Sequence, residues 1–228
     1  SRTFACAYVY SNLLGNESGR LIFDGDAMIS SGGELLASSD RFSYADHTLT
    51  TALADIEKNR IEQSKVKSPF SGDYPAVSSS FRLRTTFAPG STGCTLESFE
   101  KGGHLREEEF ARAVSLGLFD YLRKSRSYGF TISLSGGADS SACTALCALM
   151  IRLADESIGL EAFRQKLAYI PGITDCRTIT ETGRLLITTI YQGTRNSSED
   201  TLNSARSLAE DCGAQFYRID IDELVSAY

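Results

Sequence analysis

Residues 130–141 read FTISLSGGADSS, and their types and spacing are suited to binding phosphate groups. The apolar and β-branched run at 130–134 predicts a strand, and a helix is expected from about Ser140 to Leu153. Ligands of a parallel sheet bind where strands end, and the next helix offers free N–H groups and the positive end of its dipole. Gly136 and Gly137 would let the backbone approach a ligand, while the serines supply hydroxyl donors.

Asp139 is the exception in this loop, because its carboxylate would repel phosphate. It makes chemical sense as a ligand of Mg²⁺, which takes oxygen ligands and bridges to phosphates. The loop is not the GxxxxGK[ST] phosphate loop, since it is shorter and has no lysine. A glycine turn capped by serines, with no ligand, is the alternative. The agreement of strand, glycines, acid and hydroxyls favours a binding site.

The elements around this loop predict an α/β fold with a parallel sheet. Residues 105–128 have a helical pattern with acids in the first turn, basic residues in the last and Gly129 as a stop. Further strands are predicted at 187–191 and 215–221, with a helix from Ser198 to the glycine at 213 between them. Alternating helices and strands indicate crossover connections. The predicted buried face of the first helix consists of Phe110, Val114, Leu118, Tyr121 and Leu122.

Residues 1–64 have a β-type pattern in four runs, followed by a short charged helix. These runs are FACAYVY (4–10), GRLIFDGDAMIS (19–30), GELLASS (33–39) and TTALADI (50–56). The segment SSGGE between the second and third runs predicts a hairpin turn. Residues 65–104 hold three of the four prolines and are interpreted as a linker with one strand, FRLRTTF, at 81–87.

Composition limits the classes of partner. The 228 residues carry a formal net charge of −6, which argues against a surface that coats nucleic acid. The longest apolar stretch, 142–151, is too short to span a bilayer. Six cysteines form no CxxC pair and the two histidines lie in no ligand-like cluster, so we expect reduced thiols, no zinc site and a cytoplasmic location. Cys143 and Cys147 lie four apart in an apolar helical pattern, which predicts core packing for both.

SLSGGADSS resembles the pyrophosphate-binding loop of the N-type ATP pyrophosphatases. Residues 107–150 (EEEFARAV…ALCALM) and 191–225 (YQGTRNSSEDT…IDELV) resemble the synthetase domain of glutamine-dependent NAD synthetases. Residues 8–42 (YVYSNLLGN…ASSDRF) resemble the end of the nitrilase-like glutaminase domain that precedes the synthetase in this family.

This resemblance implies a division into three parts. Residues 1–64 would close a nitrilase-like α/β sandwich, 65–104 would be a linker, and 105–228 would begin a Rossmann-like synthetase domain of the adenine nucleotide alpha-hydrolase type. The implied enzyme is a glutamine-hydrolysing NAD(+) synthase, a carbon–nitrogen ligase. The chain looks like an internal fragment, with the nitrilase-type Glu, Lys and Cys upstream and the second metal ligand and most dinucleotide contacts downstream. Cys6, expected in the middle of a strand, is a poor substitute for that nucleophile.

In the implied reaction, ATP activates the carboxylate of nicotinic acid adenine dinucleotide with release of pyrophosphate. Ammonia derived from glutamine then displaces AMP to give NAD. ATP and Mg²⁺ are the implied cofactors, and the family forms homo-oligomers. Ser135 is the implied active-site serine, and Asp139 the Mg²⁺ ligand. The implied ATP-binding residues are Ser133, Leu134, Ser135, Gly136, Gly137, Ala138, Asp139, Ser140, Thr189 and Arg195.

Three other interpretations remain open. The loop could belong to another adenylating ligase or thiolase that uses a different acceptor. It could belong to a nucleotide-binding module or an assembly subunit without catalysis. A universal-stress-like ATP-binding domain is a third possibility, although such domains use a differently placed glycine motif. For Arg195, a solvated surface arginine is the ordinary alternative.

Overall fold

The computed structural model describes residues 1–17, 20–65, 79–80 and 97–223. The chain forms two compact units, each assembled from separate segments. The strands are β1 (Ala7–Ser11), β2 (Leu14–Glu17), β3 (Leu21–Asp24), β4 (Ala27–Ser31), β5 (Glu34–Ser38), β6 (Phe130–Ser133), β7 (Ile187–Gly193) and β8 (Gln215–Asp220). The helices are α1 (Ile56–Lys65), α2 (Leu105–Ser125), α3 (Ala138–Ile158), α4 (Leu160–Lys166), α5 (Ile179–Leu186) and α6 (Glu199–Asp211), with short 3₁₀ turns at Phe99–Lys101 and Ile173–Asp175.

The first unit comprises Ser1–Leu13, Gly25–Arg41 and Thr48–Lys101. Its antiparallel sheet has the strand order β1-β4-β5, and the predicted hairpin turn joins β4 to β5 at Gly32 and Gly33. The charged stretch forms α1 as predicted, and a buried hydrogen bond of 3.0 Å joins Ser31 Oγ to Asn59 Oδ1 of that helix.

Two predictions for the N-terminal residues are wrong. The run at 50–56 is not a strand, because residues 48–55 have no regular structure and Ile56 already begins α1. Cys6 is not in the middle of a strand either, since it lies in a bend just before β1 and is half-buried. The predicted strand at 81–87 lies outside the described residues, as does most of the predicted linker.

The second unit comprises Leu14–Asp24, Phe42–His47 and Gly102–Tyr228. Its β6, β7 and β8 pair in parallel in that order, which confirms the predicted α/β architecture. Helix α3 packs against β6 and β7, α6 packs against β7 and β8, and α2 packs against α3. The division into a glutaminase part (1–64), a linker (65–104) and a synthetase part (105–228) remains a prediction, because a compact unit does not show which domain its residues descend from.

Helix α2 exists as predicted, but its buried face and its end differ from the prediction. Phe110 and Tyr121 are exposed, and Leu122 is the only residue of the predicted face that is fully buried. The buried residues are Ser115, Leu116, Gly117, Phe119, Asp120 and Leu122. The face is rotated because the β2–β3 hairpin packs on α2 together with α3, and a local pattern contains no information about that distant hairpin.

The end of α2 is set by tertiary contacts and not by Gly129. Arg126 adopts a left-handed conformation with φ 60°, so the helix stops three residues earlier than predicted. The Tyr169 hydroxyl donates to the Leu122 carbonyl at 2.6 Å and satisfies one of the terminal acceptors of the helix. The Arg126 guanidinium lies 4.8 Å from the centre of the Tyr169 ring.

The cysteine prediction is confirmed for one residue of α3 and wrong for the other. Cys147 is buried, and this burial raises the pKa of its thiol to about 12. Cys143 is exposed, so only one of the two thiols packs in the core. Within the described ranges, no helix is both long enough and apolar enough to cross a membrane.

Candidate functional site

The candidate site lies at the carboxyl edge of the parallel sheet. Strand β6 ends at Ser133, and the Leu134 N–H donates to the Ile190 carbonyl of β7 at 2.9 Å. Leu134 is fully buried and anchors the start of the loop. Strand β7 ends at Gly193 at the same edge, so the segments that follow both strands lie where ligands of such sheets bind.

The loop between β6 and α3 is held by hydrogen bonds within itself and with the first residues of α3. Ser140 Oγ accepts from the Ser135 N–H at 3.2 Å and lies 3.1 Å from Ser135 Oγ. Ser135 Oγ accepts from the Gly137 N–H at 3.3 Å, and Ser141 Oγ donates to the Gly137 carbonyl at 2.7 Å. Because Ser135 is exposed and its loop is already ordered, its hydroxyl can reach a ligand without rearrangement of the backbone.

Helix α3 begins directly after this loop at Ala138, two residues earlier than the predicted start at about Ser140. Gly137 is its N-cap, with an extended backbone at φ −88° and ψ 167°. The first N–H groups of a helix have no intrahelical partner and carry the positive end of the dipole. The backbone N–H groups of Ala138, Asp139 and Ser140 therefore have no partner within the helix and face the edge where a ligand would bind.

Gly136 occupies a position where any side chain would force the loop or α6 to move. Its φ is +80°, and a Cβ atom built there would lie 2.6 Å from the Thr201 carbonyl oxygen of α6. The loop thus passes directly over the first turn of α6. The N-termini of α3 and α6 consequently lie next to each other at the carboxyl edge of the sheet.

Asp139 lies in the first turn of α3 and is exposed. No group of three or more His, Cys, Asp or Glu side chains in the described ranges could hold a metal ion by itself. Mg²⁺ is ordinarily held by one or two carboxylates together with substrate phosphates and water, so a single exposed carboxylate beside an anion-binding helix terminus fits this ion.

The other predicted site residues are placed differently. Ser133 is exposed and donates to Gln192 Oε1 at 3.1 Å, which links the ends of β6 and β7. Thr189 is fully buried, and its hydroxyl donates to the Gln215 carbonyl at 2.8 Å, so that side chain faces β8 and not the loop. Arg195 follows β7 at the same edge with its side chain 67% exposed, and its Nε lies 3.0 Å from Asp222 Oδ2. Their contacts with ATP stay a prediction.

Comparison with known proteins gives the family. The NAD synthase family model matches residues 110–228. This chain belongs to the NAD synthase family. It is similar to a protein named glutamine-dependent NAD(+) synthetase from Oryza sativa subsp. indica, at 34% identity over 99% of this chain and 32% of that protein. A Homo sapiens protein of the same name is 32% identical over 96% of this chain and 32% of that protein.

Solved structures agree with this family. The chain is 38% identical to a glutamine-dependent NAD(+) synthetase from Cytophaga hutchinsonii, with a TM-score of 0.70 over 100% of this chain and 32% of that one. A glutamine-dependent NAD+ synthetase from Acinetobacter baumannii, solved with ADP, shares the fold at 19% identity and a TM-score of 0.54. The chain spans about a third of the length of the curated relatives it matches.

Sequence reasoning missed Asp222, which lies at the same edge of this NAD synthase sheet. Its carboxylate accepts from the Arg195 N–H at 3.1 Å and so ties the end of β8 to the segment after β7. A usable signal existed, because Asp222 follows the predicted third strand by one residue. Polar residues directly after parallel strands lie where ligands of such sheets bind.

Proposed function

We propose that the complete protein containing this chain is a glutamine-dependent NAD synthetase. The observation that carries the proposal is the ordered SGGADS segment, here called the SGGADS loop, which runs from the end of β6 into the first turn of α3 at the carboxyl edge of the sheet, in a chain of the NAD synthase family. The names of the relatives supply the glutamine dependence, and the ADP complex of the Acinetobacter baumannii neighbour is consistent with an adenine nucleotide here.

In the proposed first step, a carboxylate oxygen of nicotinic acid adenine dinucleotide attacks the α-phosphorus of ATP. The bond from that phosphorus to the bridging oxygen of the β-phosphate breaks, and pyrophosphate leaves. The N–H groups at the start of α3 and the hydroxyls of Ser135 and Ser140 stabilise the charge that accumulates on the leaving group. Asp139 would hold Mg²⁺, which neutralises phosphate charge when it is bound.

In the proposed second step, ammonia attacks the carbonyl carbon of the acyl adenylate. AMP departs with the electrons of the broken carbon–oxygen bond, and loss of a proton from nitrogen leaves the amide of NAD. Glutamine supplies the ammonia through a nitrilase-like domain, whose end is assigned to residues 1–64. Arg195 is proposed to contact ATP. Thr189 would do so only if its hydroxyl exchanged its present bond to Gln215.

We also propose a cellular location and an oligomeric state for the enzyme. We assign it to the cytoplasm because its cysteines lie in no paired pattern, and to a homo-oligomer because the resembling family forms them. Sedimentation of the complete protein and the position of a fluorescent fusion in cells would test these two assignments directly.

The deciding experiment uses the complete open reading frame that contains this chain. Purified protein receives ATP, Mg²⁺ and nicotinic acid adenine dinucleotide, with either ammonium or glutamine, while NAD and pyrophosphate are followed together. We expect both products in equal amounts from either nitrogen donor. Ser135→Ala should lower the rate about 100- to 1,000-fold, the usual effect of removing one charge-stabilising donor.

The control variant is Glu161→Gln, which removes a carboxylate that pairs with Arg164 inside α4. It should leave both rates unchanged. Pyrophosphate release that does not depend on the dinucleotide would indicate another acceptor. Binding of ATP without any pyrophosphate would indicate a nucleotide-binding module, and either result rejects the proposal.

A further inference from the structure

Two N-terminal segments belong structurally to the second unit. Residues 14–24, which contain β2 and β3, and residues 42–47 are compact with residues 102–228, although the stretches on both sides of each segment belong to the first unit. We call these two segments the clip. The chain therefore enters and leaves the second unit twice before it reaches α2.

The clip is fastened to α2 by a buried carboxylate. Asp120 is 3% exposed, and its Oδ2 accepts from the backbone N–H of Asn16 at 2.8 Å. Its Oδ1 accepts from Arg123 Nη2 at 2.9 Å, and Lys124 Nζ lies 3.2 Å from Oδ2. Lys124 also donates to the Asn16 carbonyl. Both backbone groups of one clip residue are thus bound by side chains of α2.

The fit between hairpin and helix leaves no space for larger residues. A Cβ atom at Gly15 would lie 2.3 Å from Asp120 Oδ2, and the backbone there has φ +91°. A Cβ atom at Gly117 of α2 would lie 2.6 Å from Ile22 Cδ1 of β3. The two glycines allow the hairpin backbone and the helix to approach closely, one from each side.

The second segment of the clip is fastened by a different carboxylate. Asp46 Oδ1 lies 2.7 Å from Lys166 Nζ and 3.0 Å from Arg123 Nη1. The hydrogen bond from Lys166 lowers the pKa of the Asp46 carboxyl. Arg123 therefore joins both carboxylates, and the two clip segments are linked through one guanidinium.

The choice of a buried carboxylate at position 120 is informative. Burying an ion pair costs desolvation energy, and apolar residues of similar size often serve stability equally well. A buried carboxylate accepts hydrogen bonds only in certain directions, so it allows a single register, here between the hairpin and α2. We propose that Asp120 is a positioning residue that fixes the clip on α2 and so couples glutamine use to NAD formation. This inference rests on the proposed function.

The coupling follows from the way the chain is connected. Glutamine-dependent synthesis requires nitrogen released in one part of the protein to reach an activated carboxylate in another, whereas added ammonium reaches it from solution. None of the hydrogen bonds that hold the SGGADS loop involves a clip residue. Loosening the clip should therefore spare the ammonium reaction and impair the glutamine reaction.

The test compares Asp120→Asn with Glu161→Gln in the complete protein. Asparagine keeps an acceptor for Asn16 but removes the charge that holds Arg123 and Lys124. We expect the ammonium-dependent rate to change less than 2-fold and the glutamine-dependent rate to fall about 10-fold, with glutamate released in excess of NAD. Glu161→Gln should behave as the parent protein does. Ile22→Ala, which removes the contact with Gly117, should give the same pattern more weakly.

A structural measurement keeps the outcome decisive. Hydrogen exchange of peptides covering residues 12–17 should become faster in Asp120→Asn if the clip is no longer held on α2. Faster exchange with an equal loss of both activities would make Asp120 merely structural and overturn the coupling. Unchanged exchange would show that Asp120 does not hold the clip on α2. Failure of the unmodified protein to make NAD from ammonium would instead reject the proposed function, and so the two failures are distinguishable.

Discussion

The SGGADS loop and the clip hold polar groups in opposite ways. In the loop, Ser135 and Ser140 bond to each other and to nearby backbone while their surfaces stay open. Where the clip meets α2, Asp120 of the helix is buried, and its partner Asn16 of the clip lies 104 positions away in the chain. The donors of the loop stay open to a ligand, whereas the carboxylate of Asp120 is already bound by protein groups.

This difference separates binding from positioning. A site that must accept a charged ligand keeps donors exposed on a preformed backbone, because desolvated donors without a ligand would be costly. A contact that must hold two elements in one register pairs its polar groups with each other. Removing one of these side chains leaves its buried partners unpaired. Substitutions in the two regions should therefore affect different properties: activity in the loop and stability or coupling in the clip.

The largest effect on stability is expected from Asp120→Ala. The change leaves the Asn16 N–H and two cations without their carboxylate, and breaking a buried pair costs roughly 3–5 kcal/mol. We expect about 3 kcal/mol, the lower end of this range, because Arg123 and Lys124 are half-exposed and can turn to water. Chemical denaturation of the complete protein measures it. A loss no larger than that of Glu161→Gln would show that the carboxylate contributes nothing to folding.

In the loop, Gly136→Ala and Gly137→Ala form a matched pair of substitutions at adjacent glycines. At Gly136 the added Cβ meets the Thr201 carbonyl at 2.6 Å with φ +80°, so the loop must move. We expect ATP-dependent activity to fall about 100-fold, since displacements near 1 Å have such effects. At Gly137 the added Cβ meets only Ser135 Oγ at 3.3 Å, and the backbone is extended. The ATP-dependent activity of Gly137→Ala should fall less than 10-fold, roughly the effect of a weakened hydrogen bond. Equal losses would contradict the geometric argument.

Much of the loop could be predicted from the sequence, because its information is local. The strand, the glycines and the helix start lie within twelve residues, and Ser198 as an N-cap and Gly213 near the end of α6 follow the same kind of local rule. The third strand was predictable for the same reason. Short-range sterics and capping determine these features, and both are visible in a window of this length.

The clip could not be predicted, because its information is spread along the chain. The rotated face of α2 depends on a hairpin about a hundred positions earlier, and β2 itself, LGNE, has almost no strand pattern. Asp120 looks like an ordinary solvent-facing acid next to basic residues three and four positions later. The helix end at Arg126 likewise depends on Tyr169, which α3 and α4 separate from it in the chain.

A smaller effect is expected at the start of α6, which lies against the loop. Ser198 Oγ accepts from the Thr201 N–H at 3.2 Å, and losing such a cap costs about 1 kcal/mol. Thr178→Ala removes the equivalent cap of α5 and is the matched control. Both variants should lose similar stability, but only Ser198→Ala should raise the KM for ATP, because Gly136 contacts Thr201. A raised KM in both variants would mean that the effect is one of general stability.

The smallest effect, and one of opposite sign, is expected from Tyr44→Phe in the clip. The Tyr44 ring packs on Phe119 with 5.2 Å between the ring centres, but its buried hydroxyl has no hydrogen-bond partner among the described residues. Burial raises the pKa of this phenol well above its ordinary value, so the group stays neutral. Removing an unpaired buried hydroxyl should leave stability unchanged or raise it by up to about 1 kcal/mol. Tyr169→Phe is the matched control, because that hydroxyl is bonded to two carbonyls and its removal should cost about 1 kcal/mol. If Tyr44→Phe were as destabilising as Tyr169→Phe, the clip would need its hydroxyl as well as its carboxylates, and its polar groups would act as one network around Asp120.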